Sequence, residues 1–223
     1  MPQCPSASIA GYRFENPALL RQALTHRSFS STHNERLEFL GDAVLNCVIA
    51  AELFRTYPAM PEGDLSRVRA SLVNGQTLCA LAGELEIGAQ LSLGDGELRS
   101  GGTQRPSILA NAVEALIGAV FLDGGFSAAQ TFVLNIFERS LKTLDPRIAG
   151  KDPKTLLQEL LQARHLSLPR YAVIATAGDA HEQSFRVECC VEELDVRTEG
   201  AGTSRRAAEQ LAAKLAYDLV ARG

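Results

Sequence analysis

The segment Asn34-Glu-Arg-Leu-Glu-Phe-Leu-Gly-Asp42 opens an apolar stretch that continues to Phe54. The stretch is apolar nearly all round, a pattern typical of a buried helix. Glu35, Glu38 and Asp42 follow one another at spacings of three and four residues, so a helix places their carboxylates on one face. Because burying an unpaired charge costs several kcal/mol, this face needs a cation or another polar partner.

The segment that begins at Ser107 repeats the pattern. From Ile108 to Gly118 its only polar side chains are Asn111 and Glu114, three residues apart. Two such helices can converge on one divalent cation, and oxygen ligands without clustered cysteine or histidine favour Mg²⁺ or Mn²⁺ over zinc.

The alternative is that Glu35 and Glu38 are only favourable charges near a helix N-terminus. Asp42 and Glu114 lie too far inside apolar stretches for that explanation. Taken by itself, the pattern leaves both interpretations open.

The remainder of residues 1–145 predicts helix after helix, which makes this domain all-α. Asn16-Pro17 and Asn74 carry helix-capping signals, and Gly124-Gly125 predicts a break. Residues 86–106 are rich in glycine and predict a loop with at most a short helix. The predicted helices cover about 16–25, 34–57, 64–73, 74–84, 107–124 and 127–144.

A different pattern begins after residues 146–153, which contain two prolines and a glycine and predict a linker. Residues 154–223 start with an amphipathic helix and continue with alternating apolar residues, which indicate strands. Gly178-Asp179 predicts a turn, a third strand fits 195–199, and a final helix closes the chain. The order α-β-β-β-α predicts a small α+β domain, so the fold class is multi-domain.

Composition argues mainly against several kinds of site and location. The chain has 223 residues, a net charge of −4 and five cysteines without C-x-x-C spacing. We expect reduced, mostly buried thiols and no zinc site. No signal peptide and no apolar run of about 20 residues is evident, which predicts a cytoplasmic protein without a membrane partner. Acidic residues outnumber basic ones on both sides of Gly150, so any nucleic-acid surface must be local.

Several blocks of this sequence resemble bacterial ribonuclease III, and they occur in the family's order over nearly the whole chain. The 34–42 segment, preceded by His26-Arg-Ser28, is similar to the signature of the family's catalytic domain. The other matching blocks are Pro61–Arg67, Leu98–Gly102, Ser107–Ala110 and Glu114–Gly118. Residues 154–223 resemble a double-stranded RNA-binding domain.

The resemblance implies roles for the acidic positions. Glu38, Asp42 and Glu114 would hold a catalytic Mg²⁺, with Asp42 and Glu114 as the catalytic residues. Glu35 and Glu62 would have supporting roles at the rim of the catalytic valley.

Position 111 departs from the family pattern, which has aspartate there. Asn111 can still coordinate a metal ion through its carbonyl oxygen, but it adds no charge, so we expect weaker metal binding. Asn111 therefore favours an alternative function, a double-stranded RNA-binding protein with weak or no cleavage. A small-molecule metallohydrolase would not explain the second domain.

The resemblance also implies a reaction and an assembly. The products would carry 5′-phosphate and 3′-hydroxyl ends, and the substrates would be structured precursors such as ribosomal and messenger RNA. A homodimer would cut one strand with each subunit and leave short 3′ overhangs. Phe39 would lie at the dimer contact, with core packing as the alternative.

Residues of the second domain match the family's RNA contacts. Each by itself is typical of an ordinary surface residue, but together, at the family's spacing, they predict binding to double-stranded RNA. Such domains recognise the shape of the A-form duplex rather than its sequence. The matching positions are Thr155, Gln158, His181, Ser204, Arg205 and Arg206.

Overall fold

The computed structural model describes residues 8–177 and 183–222. The chain folds as two compact units, the first ending at Ala149 and the second beginning at Gly150. The division falls within residues 146–153, the stretch that the sequence predicts as a linker.

The regular structure of the first unit is helical apart from a hairpin of two two-residue strands and an isolated bridge between Thr25 and Ser92, so the predicted all-α architecture is confirmed. The hairpin consists of β1 (Ser8–Ile9) and β2 (Tyr12–Arg13). The helices are α1 (Pro17–Ala23), α2 (Glu35–Thr56), α3 (Glu62–Leu72), α4 (Gly75–Glu84), α5 (Asp95–Arg99), α6 (Pro106–Ile136) and α7 (Glu138–Lys142).

The predicted helix boundaries are mostly those of the structure. The side chains of Asn16 and Asn74 accept hydrogen bonds from backbone N–H groups in the first turns of α1 and α4, which caps both helices. Gly125, at φ 76° and ψ −174°, interrupts α6 where a break is predicted. Residues 86–106 are more ordered than expected, because two short 3-10 helices flank α5.

Helices α2 and α6 form the centre of the first unit and cross at two glycines. A Cβ atom on Gly41 would lie 1.7 Å from the carbonyl oxygen of Glu114, and one on Gly118 would lie 2.2 Å from that of Leu37. Only glycine therefore permits this backbone contact. The side chains around the crossing are fully buried: Leu45, Val48, Ile49, Ala115, Leu116 and Ile117.

Helix α6 corrects one expectation from the sequence. Among the described residues, it is the single helix whose length and apolar composition would suffice to cross a membrane, although the sequence analysis expects no such stretch. In the structure, 61% of its most apolar window is buried inside the protein, as in the core helix of a folded domain.

The second unit has the predicted α-β-β-β-α order. It consists of α8 (Pro153–Ala163), β3 (Arg170–Ala177), β4 (Ser184–Val191), β5 (Val196–Gly202) and α9 (Arg205–Arg222). The strands form an antiparallel sheet in the order β3-β4-β5. The core contains Leu157, Leu161, Cys189, Val191, Ala212, Ala213, Ala216 and Val220.

One strand boundary in this unit differs from the prediction. The third strand extends to Gly202, beyond the predicted end at Glu199. The turn predicted at Gly178-Asp179 lies outside the described residues.

The described cysteines are all free, as expected, but the prediction that most are buried is wrong. Cys189 is buried, Cys79 and Cys190 are partly buried, and Cys47 is exposed on α2. Cys4 lies outside the described residues.

Candidate active site and RNA-binding surface

A cleft of about 570 Å³ opens beside the crossing of α2 and α6. Its lining combines carboxylates, arginines and side-chain amides, which is unusual for a cavity between two apolar helices. The polar side chains are His26, Arg27, Asn34, Glu35, Glu38, Asp42, Glu97, Arg105, Ser107, Asn111 and Glu114.

The glycine crossing explains why residues distant in sequence line one cleft. Glu38 and Asp42 flank Gly41 on α2, and Gly41 packs directly on the carbonyl group of Glu114. Asn111 lies one turn before Glu114 on α6 and lines the same cleft. The structure therefore brings together the four residues that the sequence analysis assigns to the metal site.

Negative charge is concentrated in this cleft. Burial, followed by the neighbouring charges of Asp42 and Glu38, raises the pKa of Glu114 to about 7. Burial and then the charge of Glu35 also raise the pKa of Glu38, while a hydrogen bond from Asn111 acts in the opposite direction. The carboxylates repel one another and would be stabilised by a cation.

The donor set fits a hard divalent cation. The side chains of Glu38, Asp42, Asn111 and Glu114 offer only oxygen ligands on this cleft, the kind that Mg²⁺ and Mn²⁺ prefer. The carboxylates line the cleft without converging on one point. Over residues 8–177 and 183–222, no three His, Cys, Asp or Glu side chains lie close enough together to coordinate one ion. Mutual repulsion favours such separation until a cation neutralises it.

Asn46 is a neighbour of the site that the sequence analysis missed. Its Nδ2 donates to Oδ1 of Asp42 at 2.8 Å and to the Asp42 carbonyl at 3.0 Å. It therefore restrains the Asp42 side chain. Asn46 is the one polar residue between Ala43 and Ala51, four positions after Asp42, and this spacing could have identified it.

Two arginines at the cleft were also missed. Nη1 of Arg27 lies 3.0 Å from Oε1 of Glu35, and Nη1 of Arg105 lies 2.8 Å from Oε2 of Glu97. Arg105 also donates to Oγ of Ser100 at 3.0 Å. Arg27 lies eight residues before Glu35 and Arg105 eight residues after Glu97, spacings that helical periodicity does not pair, so the tertiary structure reveals both contacts.

The remaining predicted positions of the first unit differ in their placement. Glu62 does not line the cleft of its own chain, because it lies at the start of α3, where its Oε1 accepts a hydrogen bond from Oγ of Ser66 at 2.7 Å. Phe39 lines the cleft edge and is 81% exposed, so the core-packing alternative is wrong. His26, from the segment that precedes the signature, lines the cleft, and its Nδ1 lies 2.9 Å from Oγ of Ser28.

In the second unit, polar contacts hold the beginnings of α8 and α9 together. Nζ of Lys154 lies 2.7 Å from Oε2 of Glu209, and Nε2 of Gln210 donates to Oδ1 of Asp152 at 3.0 Å. These contacts place Thr155 near the start of α9. None of these four residues was singled out from the sequence.

The predicted RNA contacts are exposed at these helix starts. Thr155 and Gln158 are exposed on α8, and Ser204, Arg205 and Arg206 are exposed where α9 begins. Oγ of Ser204 accepts a hydrogen bond from the N–H of Ala207 at 3.1 Å, and Arg205 pairs with Glu209 at 2.9 Å. His181 lies outside the described residues.

Comparisons with known proteins agree with this architecture. Residues 16–140 match the Ribonuclease-III-like family model, and residues 153–220 match the double-stranded RNA binding motif. Ribonuclease 3 of Cupriavidus pinatubonensis is 60% identical over 210 residues, covering 94% of this chain and 82% of the relative. Ribonuclease 3 of Nitrosomonas europaea is 54% identical over 209 residues, covering 94% of this chain and 85% of the relative.

Solved structures give the same result for the first unit. One structure of the nuclease domain of ribonuclease III from Campylobacter jejuni is 41% identical, with a TM-score of 0.60, and covers 65% of this chain and 100% of that chain. Another structure of the same nuclease domain concerns structural flexibility in the region involved in dimer formation. It is 45% identical, with a TM-score of 0.58, and covers 59% of this chain and 92% of that chain.

The two family models occur in the order that the structure shows, and the relatives are similar along nearly the whole chain. The helical unit is an endonuclease domain, and the α+β unit binds double-stranded RNA. The chain therefore belongs to the ribonuclease III family of double-stranded RNA endoribonucleases.

Proposed function

We propose that this enzyme uses Mg²⁺, with Mn²⁺ as an alternative, to hydrolyse phosphodiester bonds in double-stranded RNA to 5′-phosphate and 3′-hydroxyl ends. Its substrates are structured precursors such as ribosomal and messenger RNA, and it acts in the cytoplasm. The observation that carries the proposal is the cleft in which Glu38 and Asp42 of α2 face Asn111 and Glu114 of α6.

Members of this family depend on divalent metal ions. In this chain Glu38, Asp42, Asn111 and Glu114 would hold the ion. When bound, such an ion lowers the pKa of a water molecule and neutralises charge that develops on the phosphate. Asp42 and Glu114 are the catalytic residues of the proposal, and Asn46 keeps the Asp42 carboxylate in position.

Asn111 limits how tightly the ion is held. Its amide oxygen can coordinate but contributes no charge, so the ligand set has three carboxylates where the family pattern has four. This observation favours a second candidate function, a protein that binds double-stranded RNA and cleaves it weakly or not at all. The three intact carboxylates favour the enzyme.

We also propose a homodimer formed through an exposed face of α2. Phe39 and Phe54 are 81% and 74% exposed, and Ala43 and Cys47 are exposed between them at helical spacing. Large exposed aromatic residues in line are typical of an interaction surface rather than of a free helix. The Campylobacter jejuni nuclease domain, described with a region involved in dimer formation, supports this assembly. Each subunit would then cut one strand and leave short 3′ overhangs.

The test of the reaction is incubation of the full chain with an end-labelled RNA duplex in Mg²⁺ or in EDTA. We expect cuts only with Mg²⁺, and fragment ends that a 5′-phosphate-dependent exonuclease accepts. Binding without Mg²⁺-dependent cuts would establish the second candidate instead.

A matched pair of variants tests the site. Glu114→Gln keeps the shape of the side chain but removes a proposed ligand charge, so cleavage should be lost while duplex binding remains. Glu84→Gln, on exposed surface of α4, should leave both unchanged. Loss of duplex binding in Glu114→Gln would contradict the separation of catalytic and binding roles.

A second pair tests the dimer. Phe39→Glu places a charge on the α2 face and should shift the full chain to the monomer mass in sedimentation velocity. Phe29→Glu, at a residue that is 60% exposed outside this face, should remain dimeric. A dimeric Phe39→Glu variant would rule out this contact.

A further inference from the structure

The second unit carries an unpaired strand edge. β5 ends the sheet order β3-β4-β5, and no strand within the described residues pairs with its outer side. Backbone N–H and C=O groups of alternate residues along Val196–Gly202 therefore point away from β4. Such an edge is a template for pairing with another extended segment.

A strip of leucines runs along α9. Leu211, Leu215 and Leu219 follow one another at intervals of four residues and are 41%, 41% and 54% exposed. Singly exposed leucines are ordinary, but three in line form a continuous apolar strip. The residues that follow each of them, Ala212, Ala216 and Val220, are buried in the domain core.

The leucine strip and the strand edge lie on the same side of the domain. A Cβ atom built on Gly200 of β5 would be 3.0 Å from the Cβ of Leu211. Gln210, about 100° further round the helix, is instead hydrogen-bonded to Asp152 at the start of α8. The strip therefore lies over β5 and away from α8, beside the free edge.

We propose that this β5/α9 face, defined as the outer edge of β5 with Leu211, Leu215 and Leu219, binds a second copy of the same chain through antiparallel pairing of the two β5 strands. The charge pattern of the strand supports a self-complementary contact. When Thr198 faces Thr198 of the second copy, Arg197 lies opposite Glu199 of that copy, and the reverse pair forms by symmetry.

Registers centred one residue away are disfavoured. Centring the pairing on Arg197 or on Glu199 would set like charges directly against each other, which destabilises a cross-strand pair. Both side chains are exposed and already lie near charged residues of β4, Glu188 at 3.7 Å and Arg186 at 4.0 Å. The charges therefore select the register, and burial of the leucines provides the affinity.

This contact does not include the RNA-binding positions. Thr155 is on α8, on the other side of α9, and Arg205 and Arg206 precede the first leucine of the strip by more than one helical turn. Self-association through the β5/α9 face is thus compatible with a bound duplex and would link RNA-bound molecules to one another.

Sedimentation velocity of the full chain over a wide concentration range tests the proposal. The wild type should form species larger than the α2-face dimer reversibly, whereas Leu215→Glu/Leu219→Glu should require at least about tenfold higher concentration to do so. Leu168→Glu is the matched control, since Leu168 is also 54% exposed but lies outside the face.

A wild type that shows no concentration-dependent association beyond the α2-face dimer would overturn the proposal, as would equal association of the double leucine variant. If the α2-face dimer itself does not form, the same concentration series should show a monomer that associates into a dimer through the β5/α9 face. Failure of the proposed α2-face dimer can therefore be distinguished from failure of the β5/α9 contact. Circular dichroism and duplex binding should be unchanged in the double leucine variant and in Leu168→Glu, which excludes misfolding as the cause of any loss of association.

Disulfide cross-linking tests the register directly in a Cys47→Ser/Cys190→Ser background, because Cys47 is exposed and Cys190 lies directly opposite Arg197 on β4. Arg197→Cys and Glu199→Cys should form a mixed intermolecular disulfide when the two variants are combined and oxidised, identified by mass spectrometry of the linked peptides. Each variant alone should give little cross-linking through its new cysteine. Efficient self-linking of Glu199→Cys, or no mixed product, would rule out the Thr198-centred pairing.

Discussion

The two units of this chain place their proposed functional residues in different ways. In the endonuclease domain the carboxylates line a cleft made by two buried helices in backbone contact at Gly41 and Gly118. In the RNA-binding domain Thr155, Arg205 and Arg206 are exposed on a small fold whose core does not depend on them. A small change in packing should therefore disable the first site altogether, whereas changes in the second should have graded effects.

The largest expected effect comes from a substitution at the helix crossing of the endonuclease domain. Gly41→Ala forces a Cβ atom into the Glu114 carbonyl, so the helices must separate and the carboxylates with them. We expect cleavage to be lost, with destabilisation of about 1–3 kcal/mol or more in urea unfolding.

Gly83→Ala is the control for that substitution. No atom lies within 4 Å of a Cβ atom there, and Gly83 is inside α4. Its helix should be stabilised by about 0.5–1 kcal/mol with unchanged cleavage. An active Gly41→Ala variant would show that the crossing does not set the site.

The next effect belongs to the RNA-binding domain and should be graded. Arg205→Ala/Arg206→Ala removes two charges from the start of α9 and should weaken duplex binding about tenfold. The slope of the logarithm of affinity against the logarithm of salt concentration should become less steep by about two. Arg222→Ala, an exposed arginine at the other end of α9, is the control. Binding isotherms at several salt concentrations measure both quantities, and an unaltered salt slope would exclude phosphate contacts by this pair.

A substitution that should strengthen metal binding tests whether residue 111 is a ligand in the cleft. Asn111→Asp adds a fourth carboxylate beside Glu38, Asp42 and Glu114, so half-maximal cleavage should require about tenfold less Mg²⁺. Asn135→Asp, an exposed position further along α6, should not change the Mg²⁺ requirement. The same Mg²⁺ dependence in Asn111→Asp and the wild type would mean that residue 111 is not a ligand.

The smallest effect concerns stability away from both sites. Asp123 accepts hydrogen bonds from the Tyr12 hydroxyl and from the N–H groups of Glu15 and Asn16, at 2.8–2.9 Å. Burial alone would raise the pKa of Asp123, but these bonds outweigh it and hold the pKa below its ordinary value. The stabilisation is therefore present above the unfolded pKa of about 4 and is lost as the pH falls through the lower folded value.

Asp123→Asn should accordingly cost about 1–2 kcal/mol at pH 7 and progressively less in acid. Urea unfolding at a series of pH values measures the difference from the wild type. A cost that does not shrink in acid would show that the carboxylate charge is not responsible. Cleavage at pH 7 should be unchanged, since Asp123 does not line the cleft.

Much of this protein follows from local sequence. Capping residues such as Asn16 and Asn74, the break at Gly125 and the switch from helical to alternating periodicity each depend on near neighbours, so they predict the elements and the two-domain order. The acidic spacing on α2 and the Asn111-Glu114 pair on α6 predicted the residues that line the cleft for the same reason.

Tertiary structure decided what those residues face. Helical periodicity shows that Glu38 and Asp42 share a side of α2, but only the packing of Gly41 on Glu114 joins that side to α6. It also placed Glu62 away from the cleft of its own chain and left Phe39 exposed. Sequence spacing fixes neighbours along one helix, whereas contacts between elements depend on how side chains and backbones pack at distances of a few ångströms.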